Sequence, residues 1–377
     1  MKARICFFLL SVVFLFNTTA KAENEQLDGV DAKAYILIEQ NTGRVLVENN
    51  ADERLPIASV TKIMTMLLIM EAVDNKTISL DDMVTVSENA MSYGGSTMFL
   101  EAGEELSVND MLKGIAVASA NDGCVAMAEH LSGSETAFVD KMNEKAKSLG
   151  MSNTNFINTN GLDEDGHYSS ARDVSIMSKE LLKHKKITDY TSIWTDELRG
   201  GKFQLANTNK LIRFYNGANG LKTGSTSEAL CCLSASAKRD DMQLIAVVLG
   251  APTSEKRFNS ARELLNFGFA NYKLDKLVTQ NEFIADADVV NGTKKTVRAI
   301  AKSNKVKLTE KSNIKEIQKN ILLDSEIEAP IKKGETVGVL EFLSEGTIID
   351  KVEIVASEDI EKKGVFRIIT DIVIGFM

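Results

Sequence analysis

The sequence predicts a mixed α/β (α+β) domain, with a mainly antiparallel sheet and helices on its faces, followed by a small all-β domain. Three observations carry that reading. Apolar strand patterns joined by short polar turns stand near residue 35 and again near residues 230–250, at the two ends of one segment. Helical patterns fill the chain between them. After about residue 277 short Val, Ile and Thr stretches alternate with Lys, Glu, Asn and Gly.

In chain order, residues 34–38 and 45–47 read as strands, with Asn41-Thr42-Gly43-Arg44 turning between them. Pro56 leads into an apolar helical run from about Ser59 to Val73, and residues 105–150 carry helical patterns that end at Gly150. The stretch 151–173 is rich in Asn, Thr, Gly and Asp and reads mostly as loop, before a helix from Asp173 to His184. Residues 230–237 and 242–249 read as strands around the turn Lys238-Arg239-Asp240-Asp241, and residues 254–272 as an amphipathic helix. The strands at the two ends are expected to form one sheet. The expected organisation is a secretion signal at 1–22, a main domain at 23–277, a β-rich domain at 278–357 and a tail at 358–377.

The 377 residues suffice for two domains. At 44% hydrophobic and 26% charged, the chain has a globular composition able to bury a core. The formal net charge is -9 and no long basic block occurs, which argues against nucleic acid as a partner. Lys2 and Arg4, an apolar run from Ile5 to Phe16 and Ala20-Lys21-Ala22 form the three parts of a secretion signal. The run is short for a membrane span, so the mature protein is expected at the outer face of the cytoplasmic membrane, in the cell wall space or periplasm. Cys6 leaves with the signal, and Cys124, Cys231 and Cys232 are an odd set with an adjacent pair, unlike a disulfide framework. With no C-x-x-C, no H-E-x-x-H and only His130, His167 and His184, neither a metal nor another cofactor is expected.

Three short motifs carry chemistry. Ser59-Val60-Thr61-Lys62 is an S-x-x-K, whose spacing on a helix stacks both side chains on one face. A serine hydroxyl needs a base to become a nucleophile, and a lysine serves as one when burial and nearby positive charge lower its pKa. The helix start also favours a developing anion. The same spacing recurs at Ser312-Asn313-Ile314-Lys315, in the β-rich segment. Ser119-Ala120-Asn121 is an S-x-N that follows the apolar run 114–118; its polar groups either point from the core into a cleft, or Asn121 or Asp122 caps the next helix. The similar Ser87-Glu88-Asn89 and Ser107-Val108-Asn109 precede helix starts and read as caps. Lys222-Thr223-Gly224 occurs once, before a strand pattern; Gly224 lets another backbone or a ligand approach closely.

The order S-x-x-K, S-x-N, K-T-G, with separations of 60 and 103 residues, is the strong signal. With the segments Gly161-Leu162-Asp163, His167-Tyr168-Ser169-Ser170-Ala171-Arg172-Asp173 and Leu264-Leu265-Asn266-Phe267-Gly268-Phe269, the chain resembles the low-molecular-mass penicillin-binding proteins, serine-type D-alanyl-D-alanine carboxypeptidases. The resemblance covers about residues 28–275 well and the remainder less specifically. It departs from the common pattern at Ala120, where many members carry Gly, and at Ser225, where many carry His. It implies a penicillin-binding, β-lactamase-like transpeptidase fold, acting on peptidoglycan stem peptides that end in D-Ala-D-Ala and acylated by β-lactam antibiotics. It implies that Ser59 is the nucleophile, Lys62 its base, Ser119 a proton relay and Lys222 an electrostatic aid. Asn121 would hold the substrate amide, and Thr223 and Arg257 the terminal carboxylate. The backbone amides of Ser59 and Ser225 would form the oxyanion hole. On its helix pattern alone Arg257 reads as a surface ion-pair residue, and His167 as ordering its loop outside the site.

Three other readings share these motifs. A class A-like β-lactamase would need a Glu on the loop between S-x-N and K-T-G; Glu164 lies there, but position 168 is Tyr, where such a site would have Asn. A catalytically idle peptidoglycan-binding protein would keep the pocket without turnover, and endopeptidase action on D-alanyl cross-links would use the same atoms. Finally, residues 364–377 hold nine large apolar residues with Arg367 and Asp371 as the charges, behind Lys362 and Lys363. On a helical wheel Phe366, Ile369, Val373 and Phe376 share a face, while Ile374 falls elsewhere. The expectation is an amphipathic segment lying on the membrane surface.

Overall fold

The computed structural model describes residues 27–364. The expected secretion signal and residues 365–377 of the expected tail lie outside the described residues. The elements run β1 Ala34–Glu39, β2 Val45–Asn49, a 3-10 turn Ala58–Thr61 continuing into α1 Lys62–Asp74, β3 Met83–Thr85, α2 Glu88–Met91, β4 Glu105–Ser107, α3 Val108–Lys113, a π-helical turn Gly114–Ala118, α4 Asn121–Ser132 and α5 Glu135–Ser148. After a long loop come α6 Ala171–Leu181, α7 Ile187–Thr191, β5 Thr195–Leu198, β6 Phe203–Ala206, α8 Leu211–Phe214, β7 Ala218–Thr226, β8 Leu230–Arg239, β9 Met242–Ala251 and α9 Ser254–Asn271. The last part is all β: β10 Tyr272–Val278, β11 Phe283–Val290, β12 Thr296–Ala301, β13 Lys305–Glu310, β14 Gln318–Leu323, β15 Ile327–Glu328, β16 Thr336–Ser344 and β17 Thr347–Ala356.

The main sheet has the order β2-β1-β9-β8-β7, every neighbour antiparallel, so strands from both ends of the first segment do share one sheet. Period-2 alternation sends Ile36, Val247 and Leu249 to one face and Leu37, Ala246 and Val248 to the other. The first face packs on α1, α4 and α6, the second on α9. Helix α1 is apolar nearly all round because other elements surround it; Ile63, Met64, Met66, Leu67, Ile69 and Met70 are all fully buried. Each such side chain contributes about 1.5–3 kcal/mol relative to exposure, which lets the helix carry one buried lysine. β7 is an edge strand, bonded to β8 alone, and its free edge faces the helical part.

The all-β part has its own core, including Val297, Leu340, Phe342 and Ile354, under a six-stranded sheet of order β14-β16-β17-β12-β11-β15. β10 and β13 form a separate ribbon, and Leu308 of β13 joins the core beneath α9.

Some boundaries differ from the sequence reading. Residues 105–107 are a strand paired with β3, too short to leave a periodic signal. The β5–β6 hairpin was not anticipated, because its strands have only four residues each. Helix α6 begins at Ala171 because Ser170 Oγ accepts from Asp173 N and caps it there, and it ends at Leu181.

Candidate active site

Ser59 sits in the 3-10 turn that feeds α1. The first hydrogen bond of that turn runs from Val60 N to Ile57 O at 3.2 Å, so the Ser59 amide precedes every intrahelical donor and is left open. Ala58 holds φ 48, a left-handed conformation that costs a non-glycine residue energy. The turn is held from outside. Gly161, at φ +86, packs so closely that a Cβ there would stand 1.9 Å from Ala58 O.

The three-residue spacing of Ser59 and Lys62 works as geometry. Lys62 Nζ lies 2.8 Å from Ser59 Oγ, 2.7 Å from Asn121 Oδ1 and 2.7 Å from Asn160 O. As an ammonium, Lys62 donates to all three. Of these partners the amide oxygen and the carbonyl can only accept, whereas the serine hydroxyl can also donate. A neutral Lys62 therefore keeps two N–H bonds and turns its lone pair to Ser59, the arrangement a general base requires.

Ser119 ends the π-helical turn at φ 65, and α4 starts two residues later. Its hydroxyl makes no hydrogen bond to the described residues, and Ser119 is 4% exposed. Asn121 is more constrained: besides accepting from Lys62 it donates from Nδ2 to Gly94 O at 2.7 Å and from its backbone to Ser96 O. One Nδ2 hydrogen stays free for a ligand carbonyl. Asp122 faces away, receiving the amides of Met98, Leu100 and Gly123, so it fixes the loop in front of Asn121. Neither Asn121 nor Asp122 caps α4 through its side chain.

K-T-G lies inside β7. Lys222 is buried, with Nζ on Thr223 O at 3.0 Å, and Thr223 Oγ1 is 2.6 Å from Thr208 Oγ1. Gly224 brings β7 against the Ser59 turn: a Cβ there would meet Ile57 O at 2.7 Å and Ser59 N at 3.0 Å. Ser225 follows at the exposed end, its hydroxyl 3.8 Å from Cys231 Sγ.

Electrostatics follow from burial. Desolvation lowers Lys62 to about 8, outweighing the attraction of Asp122. Lys222 falls well below its ordinary value, first through burial and then through the positive charge of Lys62. Burial dominates at both lysines, and the expected influence of a neighbouring cation is felt at Lys222 and not at Lys62.

Other sequence candidates separate clearly. Ser87 Oγ accepts from Ala90 N and Ser107 Oγ from Asp110 N, so both are caps. Ser312 lies in the exposed connection after β13, and Lys315 pairs with Glu345 at 2.7 Å. Glu164 is exposed, and its carboxylate takes a bond from Asn158 rather than from the Ser59 cluster. Arg257 is not a surface ion-pair residue: it is 6% exposed and donates from Nη1 to Gly224 O at 2.9 Å and to Cys232 O at 3.3 Å. Cys124, Cys231 and Cys232 are free thiols.

Sequence reasoning missed three supporting groups. Asn160 supplies a carbonyl to Lys62; Asp163 accepts from Thr226 Oγ1 at 2.6 Å and ties the long loop to the end of β7; Thr65 donates to Thr159 O at 2.6 Å. The Asn-Gly and Gly-Leu-Asp turns of that loop were the available signal, but nothing local says which strand they meet.

Comparison with known proteins shows the family. Residues 18–253 match the family described as D-alanyl-D-alanine carboxypeptidase, and residues 272–362 match the penicillin-binding protein 5, C-terminal domain. The chain is 48% identical over 338 residues to the D-alanyl-D-alanine carboxypeptidase DacF of Bacillus subtilis, covering 89% of this chain and 87% of that protein. It is 36% identical over 371 residues to DacC of Escherichia coli, a D-alanyl-D-alanine carboxypeptidase, covering 96% and 92%. Among solved structures, penicillin binding protein 5 of Haemophilus influenzae superimposes with a TM-score of 0.73 at 33% identity, covering 88% of this chain and 98% of that one.

Proposed function

The chain belongs to the D-alanyl-D-alanine carboxypeptidase family of serine hydrolases, and we propose that Ser59 is the nucleophile with which it removes the terminal D-alanine from peptidoglycan pentapeptides. The observation that carries this reading is the set of three bonds at Lys62 Nζ, in which Ser59 is the one partner able to give a proton.

In the proposed reaction Ser59 Oγ attacks the carbonyl carbon between the last two D-alanines while its proton passes to neutral Lys62. The developing oxyanion lies between the open Ser59 amide and that of Ser225, which the missing Cβ of Gly224 brings together. The C–N bond then breaks. The departing D-alanine nitrogen takes a proton through Ser119, whose hydroxyl is unengaged. Asn121 offers its remaining Nδ2 hydrogen to the peptide. Lys222 and Thr223 serve the terminal carboxylate end. Water hydrolyses the ester on Ser59, with Lys62 again accepting a proton. A β-lactam presents the same carbonyl and acylates Ser59 in the same way.

We further propose that residues 1–22 export the chain and that the apolar C-terminal tail holds it at the membrane surface. Residues 361–363 support a narrower tail than 358–377. Thr293 N bonds Glu361 O, Gly292 pairs with Lys362, and Lys363 N bonds Asn291 O, so the chain is tied to the all-β part up to that point.

The test is to incubate the purified protein with labelled penicillin and with a pentapeptide ending in D-Ala-D-Ala. The reading expects a covalent adduct on Ser59 and release of D-alanine. Rapid loss of the label with no D-alanine released would instead indicate a β-lactamase, and acylation without turnover of either compound an idle binding protein.

A further inference from the structure

Arg257 has a geometry that carboxylate binding does not require. It rises from α9, which packs on the face of the sheet opposite α1 and the Ser59 turn. Its Nη1 donates to Gly224 O at 2.9 Å and to Cys232 O at 3.3 Å, and Nη2 to Ser254 Oγ at 3.0 Å. Its Nε is buried without a partner, and Arg257 forms no salt bridge among the described residues. A buried guanidinium whose charge no carboxylate offsets exerts its field on the groups it touches. The nearest is the carbonyl of Gly224.

That carbonyl belongs to the same peptide unit as the N–H of Ser225. In a trans peptide the two point in opposite directions, and the Gly224–Ser225 bond is not among the cis bonds of the chain. With its oxygen turned toward Arg257 and β8, the unit directs the Ser225 N–H away from them, toward the free edge of β7. The Ser59 turn lies against this unit: a Cβ on Gly224 would stand 3.0 Å from Ser59 N, so only glycine lets the turn come this close.

We propose that Arg257 is a positioning residue for the oxyanion site: from behind the sheet it fixes and polarises the Gly224–Ser225 peptide, so that the Ser225 amide meets the charge that develops on the scissile carbonyl. This rests on Ser59 as nucleophile. It assigns Arg257 an action through the backbone rather than contact with the terminal carboxylate of the substrate. Donation to a carbonyl withdraws electron density from the whole peptide and makes its N–H a stronger donor, the cooperative effect of linked hydrogen bonds.

The test compares Arg257→Lys and Arg257→Gln with the parent on two D-alanyl thioesters. One has mercaptoacetate as leaving group, carrying a carboxylate; the other has methanethiol, carrying none. Polarisation acts on the transition state of both. Arg257→Gln should lower the saturating acylation rate of both donors by a similar factor, roughly tenfold to a hundredfold, below the full loss of an oxyanion donor. KM should change little. Arg257→Lys, which can still donate to Gly224 O, should recover part of the rate. In the ¹⁵N spectrum, the Ser225 amide should shift upfield in Arg257→Gln and return part of the way in Arg257→Lys. A loss confined to the mercaptoacetate donor and seen in KM would overturn the proposal in favour of carboxylate binding, as would an unmoved Ser225 resonance. If Arg257→Gln does not fold, as judged by circular dichroism, Arg257→Lys alone decides through the ratio of its losses on the two donors. A parent protein that acylates with neither donor removes the nucleophile assignment, and this proposal falls with it.

Discussion

Thr61 Oγ1 lies 2.8 Å from His167 Nε2, which joins the turn bearing Ser59 and Lys62 to the long loop before α6. The opposite ring nitrogen, Nδ1, accepts from Ile157 N at 3.1 Å, so Nε2 carries the hydrogen and donates it to Thr61. Burial lowers His167 from 6.5 to about 4. Below pH 6.5 the unfolded chain binds a proton that the folded chain refuses, so stability falls as pH drops through this window and levels off below about 4. The loss should total roughly 3 kcal/mol. His167→Gln keeps an acceptor for Ile157 and a donor for Thr61 but does not titrate. Urea unfolding at pH 7, 5.5 and 4 should show the His167 share of the slope gone in that variant. An unchanged slope would assign the acid sensitivity elsewhere.

Catalysis should respond to the protonation of Lys62. Its pKa is about 8, and the neutral fraction rises with pH, so acylation by a β-lactam should climb along a limb with its midpoint near that value. A guanidinium does not deprotonate in this range. Lys62→Arg should therefore be nearly inactive at every pH from 6 to 10, and its residual rate should not rise along the same limb. Stopped-flow acylation measures both.

The two S-x-x-K sequences give a direct control. Ser59→Ala should lose covalent penicillin labelling and D-alanine release while its circular dichroism is kept, because the side chain is half-buried at the cleft and loses only one hydroxyl. Ser312→Ala, in an exposed connection, should label as the parent does. Mass spectrometry of the adduct peptide distinguishes the two positions.

Gly224→Ala tests the close approach of β7 to the nucleophile. The added methyl meets Ile57 O at 2.7 Å and Ser59 N at 3.0 Å, both backbone atoms with no rotamer to move. The strand must shift instead. Overpacking of this kind costs about 1–3 kcal/mol, and displacing one oxyanion donor costs roughly a hundredfold to a thousandfold in rate. Thermal unfolding and acylation kinetics on the same sample would show a modest stability loss beside a large loss of rate. Retained acylation would mean that the Ser225 amide lies elsewhere.

The paired strands and the order of the motifs were legible in the sequence because both signals are local. Nearly continuous apolar runs along residues 34–38 and 242–249 mark strands buried on both faces, and the helical three-residue spacing sets Ser59 beside Lys62. Contacts between distant segments were not legible. Lys62 needs Asn160, and Gly224 needs Ile57, but each pair is brought together by tertiary packing that leaves no periodic trace. Arg257 shows the limit most clearly. As one cation on an amphipathic pattern it is indistinguishable from a surface residue, until the sheet places a carbonyl against it.

The proposed role of the C-terminal tail as an anchor has a test that separates the tail from the fold. Residues 365–377 lie outside the described residues, whereas residues 361–363 bond to Thr293, Gly292 and Asn291. A truncation before residue 361 would therefore strip bonds from the all-β part and confuse loss of anchoring with loss of stability. Stopping the chain after Gly364 keeps those bonds and also keeps Lys362 and Lys363. On the proposed reading the apolar residues of the tail enter the membrane interface, aided by the two lysines at an anionic surface. The truncated protein should appear in the supernatant after membranes are pelleted, with acylation and D-alanine release in solution unchanged. The full chain should bind vesicles containing anionic lipid and leave them as salt is raised, in part only, because apolar contact does not screen. Pelleting of the truncated protein with membranes at the level of the full chain would place the anchor elsewhere.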